Sequence, residues 1–302
     1  MYDFLEACTR SKSEMVIFEA ARAMCSMPSM GGRDLTPAVT MLHMLLASPK
    51  PALRFAAVRT LHKLAGGNAV VVAKCNEDLE ACISDGNRSV ATYAITTLLK
   101  TGSEGSVDRL MKQIAAFMAE VGSDELKVTV VQAIHDLGMR MPAKSRTIMT
   151  FLANSLREEG GYEYKRAILD ALLELMAVTP EAQADGLLHL CEFIEDCEFT
   201  SLATRVLHLL GDQGPAAPNP GGFIRYIYNR VILENAAVRA SAVTALAKFA
   251  TRCPDLRTSI VPLLQRCVDD DDDEVRDRAT LYLTMLGGGA PAPSATPTAA
   301  PA

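Results

Sequence analysis

The stretch Asn235–Leu246, NAAVRASAVTAL, decides the fold. Val238, Ala242 and Leu246 fall at i, i+4 and i+8, so a helix places them on one face. An Arg follows the first apolar position, and a small residue sits at the centre, where it lets a neighbouring helix approach closely. The same device occurs at 51–61 as PALRFAAVRTL, with Leu53, Ala57 and Leu61. It recurs at 273–283 as DEVRDRATLYL, with Val275, Ala279 and Leu283.

The first apolar position of each copy can be followed along the whole chain. It falls at Val16, Leu53, Val90, Leu126, Tyr164, Leu202, Val238 and Val275, so successive subtraction gives steps of 37, 37, 36, 38, 38, 36 and 37. Two helices of ~15 residues with their turns occupy about 35 to 45 residues, the period of HEAT-type repeats. Stacked hairpins need apolar faces toward both neighbours, while the outer surface is free to vary, so a steady interval with weak identity is expected. The fold class is all-α: an α-solenoid of HEAT/armadillo-like helical hairpins with about eight repeats.

Length alone, 302 residues, suggests about two domains, but a solenoid grows by stacking and the repeat overrides that expectation. The chain is 49% hydrophobic and 22% charged, which suits a folded, mostly helical protein. Aromatics are 5% and Trp is absent, so small aliphatic side chains must fill the interior. The net charge of -6 and the lack of a basic face argue against nucleic acid. No long uncharged apolar window suggests a membrane span. The acidic residues in MYDFLEACTR interrupt any signal-peptide core. Eight cysteines, none in C-x-x-C, are scattered through apolar segments and read as reduced interior residues of a cytoplasmic protein.

Residues 1–12 read as the tail of an earlier repeat, because Tyr2, Phe4 and Leu5 would need a preceding hairpin to cover them. This reading expects a chain that starts inside a longer solenoid. The second helix of the first repeat is expected at roughly 13–27, stopped near Pro28. Pairs follow at 37–47 and 50–65, 76–84 and 87–101, 104–121 and 124–140, 143–157 and 162–178, 181–195 and 199–211, 223–234 and 236–252, and 255–268 and 273–286. Gly66-Gly67 and Gly211 are expected to end helices, and Asp124 to cap one. The segment GDQGPAAPNPGG (211–222) is expected to be the longest interior loop, with a hinge or docking role as the functional alternative. Residues 1–286 form the trunk. Residues 287–302, Gly/Ala/Pro-rich with no bulky apolar side chain, read as the start of a disordered hinge.

No Walker A, G-x-S-x-G or H-E-x-x-H sequence occurs. The five histidines are spread along the chain, none close to another in sequence, and His189 and Cys191 point in different directions on a helix. Catalytic residues, cofactors and metals are therefore expected to be absent. The acidic run Asp269–Glu274 lacks the alternation and central Gly of an EF-hand, so helix capping explains it better than a divalent ion. The basic residue after each anchor (Arg54, Lys127, Lys165, Arg239, Arg276) has two readings. It lines a partner-contact ridge, or it builds ladders to acids of the adjacent hairpin, the reading favoured here. In GGFIRYIYNRVILEN, Phe223, Tyr226 and Tyr228 alternate with Arg225 and Arg230. That interleaving can mark nucleic acid, but at helical spacing it reads as a packed amphipathic helix.

Several long stretches resemble a known family. They are NRSVATYAITTLLKTGSEGSVDRLMKQI (87–114), REEGGYEYKRAILDALLEL (157–175), HLCEFIEDCEFTSLATRVLHLLG (189–211), YNRVILENAAVRASAVTALAKF (228–249) and DDDDEVRDRATLYL (270–283). They resemble the gamma subunits of coatomer and, more distantly, the large adaptins of clathrin adaptors. The resemblance covers nearly all of 1–286. It implies the later part of a helical trunk plus the beginning of a hinge, with the early trunk and the C-terminal appendage outside this sequence. It also implies a structural role, without enzymatic activity, in the COPI coat that serves Golgi-to-ER and intra-Golgi transport. The implied partners are the beta, delta and zeta coatomer subunits and an Arf-family GTPase, the last mostly through the early trunk. The implied location is the cytoplasm and, through the complex, the periphery of Golgi membranes and COPI-coated vesicles. A clathrin-adaptor trunk or a phosphatase scaffold is the alternative.

Overall fold

The structure is a computed structural model that describes residues 1–27 and 31–287. The hinge expected over 287–302 lies, apart from Gly287, outside the described residues. Sixteen α-helices and no strand occur among the described residues. They form two compact units, Met1–Thr179 and Pro180 onward.

The first unit holds α1 (Tyr2–Cys8), α2 (Glu14–Ser26), α3 (Thr36–Leu46), α4 (Pro51–Val72), α5 (Asn76–Cys82), α6 (Arg88–Thr101), α7 (Val107–Glu120), α8 (Asp124–Arg140), α9 (Ser145–Arg157) and α10 (Tyr162–Val178). Even-numbered helices pack on one another in sequence, α4 on α6, α6 on α8 and α8 on α10. Within them the repeated face is the core: Leu53, Ala57, Leu61, Val90, Ala94, Tyr164 and Ile168 are buried. Odd-numbered helices form a second layer, α3 beside α5 and α7 beside α9. Short 3-10 turns, such as Glu104–Ser106 and Pro142–Lys144, lead into this second layer.

The second unit repeats the plan with α11 (Gln183–Glu195), α12 (Thr200–Gln213), α13 (Gly221–Leu233), α14 (Ala236–Arg252), α15 (Pro254–Arg266) and α16 (Asp273–Met285). Here α12, α14 and α16 make the inner stack, and α11 and α13 lie side by side in the outer layer. In α14 the opening stretch behaves as its spacing predicts. Asn235 caps the helix by accepting the Val238 N–H at 3.2 Å, and Val238, Ala242 and Leu246 are buried.

Gly66 and Gly67 close the first segment of α4, as expected: Asn68 (φ -134, ψ 51) breaks the helix, and a second segment runs on to the buried Val72. Five other expectations need correction or refinement. Gly211 does not end its helix; α12 runs on to Gln213 because the glycine is where α14 comes closest, with an ideal Cβ only 3.0 Å from the Ala245 Cα. The supposed loop 211–222 therefore shrinks. Helix takes 211–213 and 221–222, and a 3-10 turn takes Gly214–Ala216, with Gly214 set against the Phe249 ring. Asp124 is not the cap: Ser123 holds that position, and the Asp124 carboxylate instead accepts the Gly161 N–H of the next hairpin at 2.9 Å. The anchor Val16 is 43% exposed, because the two-turn α1 covers only part of α2. Residues 1–12 contain α1 with Phe4 exposed, so their apolar side chains are only partly covered.

Candidate partner-contact ridge

Two of the five basic residues after the anchors build the same device. Arg54 donates from Nε to Asp85 Oδ2 at 2.7 Å and from Nη1 to the Ser48 carbonyl at 2.9 Å. Asp85 also accepts the Asn87 N–H at 2.8 Å, and Asn87 caps α6 through the Ser89 N–H at 3.0 Å. In the second unit, Arg239 donates to both oxygens of Asp270 at 3.0 and 2.7 Å and to the Glu234 carbonyl at 2.9 Å. Asp270 accepts the Asp272 N–H at 2.9 Å, and Asp272 caps α16 through Glu274 and Val275. Each clasp thus ties an Arg on one inner helix to the turn that starts the next.

The electrostatics follow from that geometry. The Arg54 hydrogen bond holds the Asp85 carboxyl below the usual carboxylate range, against the opposing push of burial. For Asp270, burial pushes upward most strongly, but hydrogen bonds from Arg239 and the Asp272 N–H prevail and the net shift is down. Both carboxylates are charged at neutral pH, and both are well shielded from solvent.

The other three candidates differ. Lys127 places Nζ 5.2 Å from the centroid of the buried Tyr164 ring, a cation–π contact to the next hairpin. Lys165 is half-buried and engaged in an interaction of its own. Arg276 repeats only the local half of the clasp, donating to the Asp270 carbonyl at 2.6 Å, while its other arm meets Asp273 on its own helix. The five residues are thus spread over both units.

A second set of contacts was not anticipated. Arg140 at the end of α8 donates to the Leu99 and Lys100 carbonyls that close α6. Arg252 at the end of α14 does the same to the Asp212 carbonyl of α12, at 2.6 Å. The only sequence signal is a basic residue in the last turn, which favours helix C-termini in general and names no partner.

The remaining chemistry is structural. Four of the six residues of the acidic run are engaged: Asp270, Asp273 and Glu274 pair with Arg239, Arg276 and Arg278, and Asp272 caps α16. Among the described residues no group of three His, Cys, Asp or Glu side chains could hold a metal ion. All eight cysteines are free, and burial raises the Cys25, Cys75 and Cys267 thiols to about 11 and Cys191 to about 12. In the basic-aromatic segment, Phe223 and Ile227 are buried, and Arg230 is buried against Glu234 and the Glu195 carbonyl. That is the packing of an amphipathic helix. Among the described residues no helix is long and apolar enough to cross a membrane.

Paired helices at a fixed period, joined by inter-hairpin clasps, define a helical-repeat scaffold of the HEAT class. The chain belongs to the family described as the adaptin N terminal region, which it matches over residues 1–289. Its relatives include coatomer subunit gamma-2 of Oryza sativa subsp. japonica (58% identical over 96% of this chain and 32% of that protein). They also include coatomer subunit gamma of Arabidopsis thaliana (59%, over 95% and 32%) and coatomer subunit gamma-2 of Homo sapiens (59%, over 95% and 33%). The chain spans about a third of the length of these relatives. In fold it is similar to a homology model of the full-length AP-3 complex in an intermediate open conformation (TM-score 0.70, 14% identity, 94% of this chain and 58% of that one). It is also similar to the crystal structure of Kap121p (TM-score 0.55, 13% identity, 92% and 33%).

Proposed function

We propose that this chain is a trunk segment of a coatomer gamma subunit and scaffolds COPI coat assembly in Golgi-to-ER and intra-Golgi vesicle transport. The observation that carries the reading is the 58–59% identity to coatomer gamma subunits of plants and animals, sustained over 95% of the chain. The likeness to the AP-3 model, at 14% identity, speaks for the fold alone.

In this reading the chain works by contact and does no covalent chemistry. Two clasps, Arg54–Asp85 and Arg239–Asp270, fix the register of their hairpins, and stacked hairpins offer long side-by-side surfaces to other subunits. The partners are the beta, delta and zeta coatomer subunits. Membrane attachment at the Golgi and on COPI-coated vesicles comes through the complex and an Arf-family GTPase, which acts mostly on trunk that precedes this segment in the longer relatives. Within the proposed ridge of Arg54, Lys127, Lys165, Arg239 and Arg276, Arg54 and Arg239 set register through their clasps.

The test is co-purification from cytosol with the full chain as bait. Recovery of coatomer beta, delta or zeta supports the proposal. Recovery of clathrin-adaptor subunits or a phosphatase catalytic chain in their place overturns it.

A further inference from the structure

A cavity in the first unit is lined by α2 and α4. The groove holds about 800 Å³, within the range of roughly 300–1,000 Å³ that ligand sites occupy. Its floor is apolar, made by Phe18, Leu35, Phe55 and Leu64. Its rim carries Arg22, Arg59 and Lys63 against one acid, Glu19. Glu19 is already bonded to Arg22 Nε at 2.9 Å. Arg59 and Lys63 stand one turn apart on α4, are exposed, and have no acidic partner among the described residues.

Two uncompensated cations above an apolar floor favour a ligand that brings both negative charge and a bulky apolar group. We infer that this groove is a docking site for an acidic peptide segment of a partner protein, with an apolar side chain seated between α2 and α4 and carboxylates on Arg59 and Lys63. The chain's own C-terminal stretch is the wrong chemistry, since residues 288–302 contain no Asp, Glu or aromatic residue. A second copy is also a poor donor, because four residues of its acidic run, Asp270, Asp272, Asp273 and Glu274, are committed to clasp, cap and local pairs. A flat anionic membrane would meet the rim and leave the floor empty.

The experiment titrates the full chain into a fluorescein-labelled peptide carrying four acidic side chains around two phenylalanines and reads anisotropy. Binding should weaken about tenfold or more when the peptide acids are replaced by Asn and Gln, and again when Arg59→Glu and Lys63→Glu are combined. Phe55→Ala should weaken it with the peptide charge unchanged. Circular dichroism and the thermal midpoint check that the variants remain folded, and the neutralised peptide tests the same point on unaltered protein. Absence of binding, binding indifferent to either charge change, concentration-dependent self-association that displaces the peptide, or capture by phosphatidylserine-containing vesicles without peptide binding would each overturn the inference.

Discussion

Gly211→Ala sets two known effects against each other at one atom. Replacing a helical glycine by alanine gains about 0.8–1 kcal/mol of helix propensity. At Gly211, however, the added Cβ would stand 3.0 Å from the Ala245 Cα, 3.1 Å from Lys248 Cδ and 3.3 Å from the Ala245 Cβ. The lysine stem can swing away, but the Ala245 backbone cannot, so α12 and α14 must separate by a few tenths of an ångström. Overpacking of that kind costs about 1–3 kcal/mol. The second effect prevails, and we expect a net loss of about 1 kcal/mol, or a midpoint roughly 2–4 °C lower. Gly66→Ala is the matched control. Gly66 is helical and exposed, with nothing within 4 Å of its ideal Cβ, so the same substitution should be neutral or stabilising by up to about 1 kcal/mol. Urea titration read by circular dichroism, with amide exchange resolving α12 and α14, measures both. If Gly211→Ala proves as stable as the parent, the close approach of these two helices is not where the second unit is tightest, and the reasoning fails.

Other outcomes follow from the same contacts. Ala57→Asp and Ala242→Asp each bury an unpaired carboxylate at a fully buried site and should cost about 3–5 kcal/mol; an unchanged urea midpoint would refute the face assignment. Asp270 has a folded pKa below its unfolded value, so its stabilising contribution is present above about pH 4 and is lost as pH falls through the folded value. The stability gap between the parent and Asp270→Asn should therefore be about 0.5–1 kcal/mol at neutral pH and close in acid. His62 behaves in the opposite sense. Burial and then Lys100, whose Nζ is 3.0 Å from Nε2, lower its pKa to about 4, so the unfolded chain takes up a proton first as pH falls below 6.5. The full shift corresponds to roughly 3 kcal/mol, and solvent screening at a half-buried ring reduces this to about 1–2 kcal/mol. His62→Gln should flatten the decline in stability between pH 6.5 and 4; an unaltered slope would refute the assignment.

The repeat was legible because it is written in side-chain size at a helical period. Val90, Ala94 and Leu98 are buried as a set, and so are Val275, Ala279 and Leu283. The departures arise where a residue type serves two purposes. A glycine reads as a helix stop, but Gly211 serves close packing inside a helix, which only the position of Ala245 reveals. An acid near a helix start reads as a cap, yet Asp124 reaches the backbone of the next hairpin, Gly161. The clasp was only half visible. The Arg after the anchor is conspicuous in the sequence, whereas Asp85 and Asp270 look like ordinary turn residues until the turn is brought beneath the Arg. The α2–α4 groove was not legible at all, since Arg59 and Lys63 are spaced like any solvated helix face.

The clasp also bears on why the period is so steady. In both examples Arg and Asp are 31 residues apart, and the Asp also fixes the cap two residues later. Both clasped repeats have an anchor step of 37, from Leu53 to Val90 and from Val238 to Val275, whereas the 36- and 38-residue steps all follow anchors without an Arg clasp. A chain segment pinned at both ends has little freedom to gain or lose a residue, because Asp270 must meet Arg239 and the Asp272 N–H at once. One alanine inserted after Val268 should pull those two demands apart, exposing the α16 cap or the Arg239 guanidinium. The same insertion among residues 217–220, in a step with no clasp, should be absorbed by the connection between α12 and α13. The expected result is a thermal midpoint several degrees lower for the first insertion than for the second. Equal midpoints would mean that helix packing alone sets the interval and that the clasp merely decorates it.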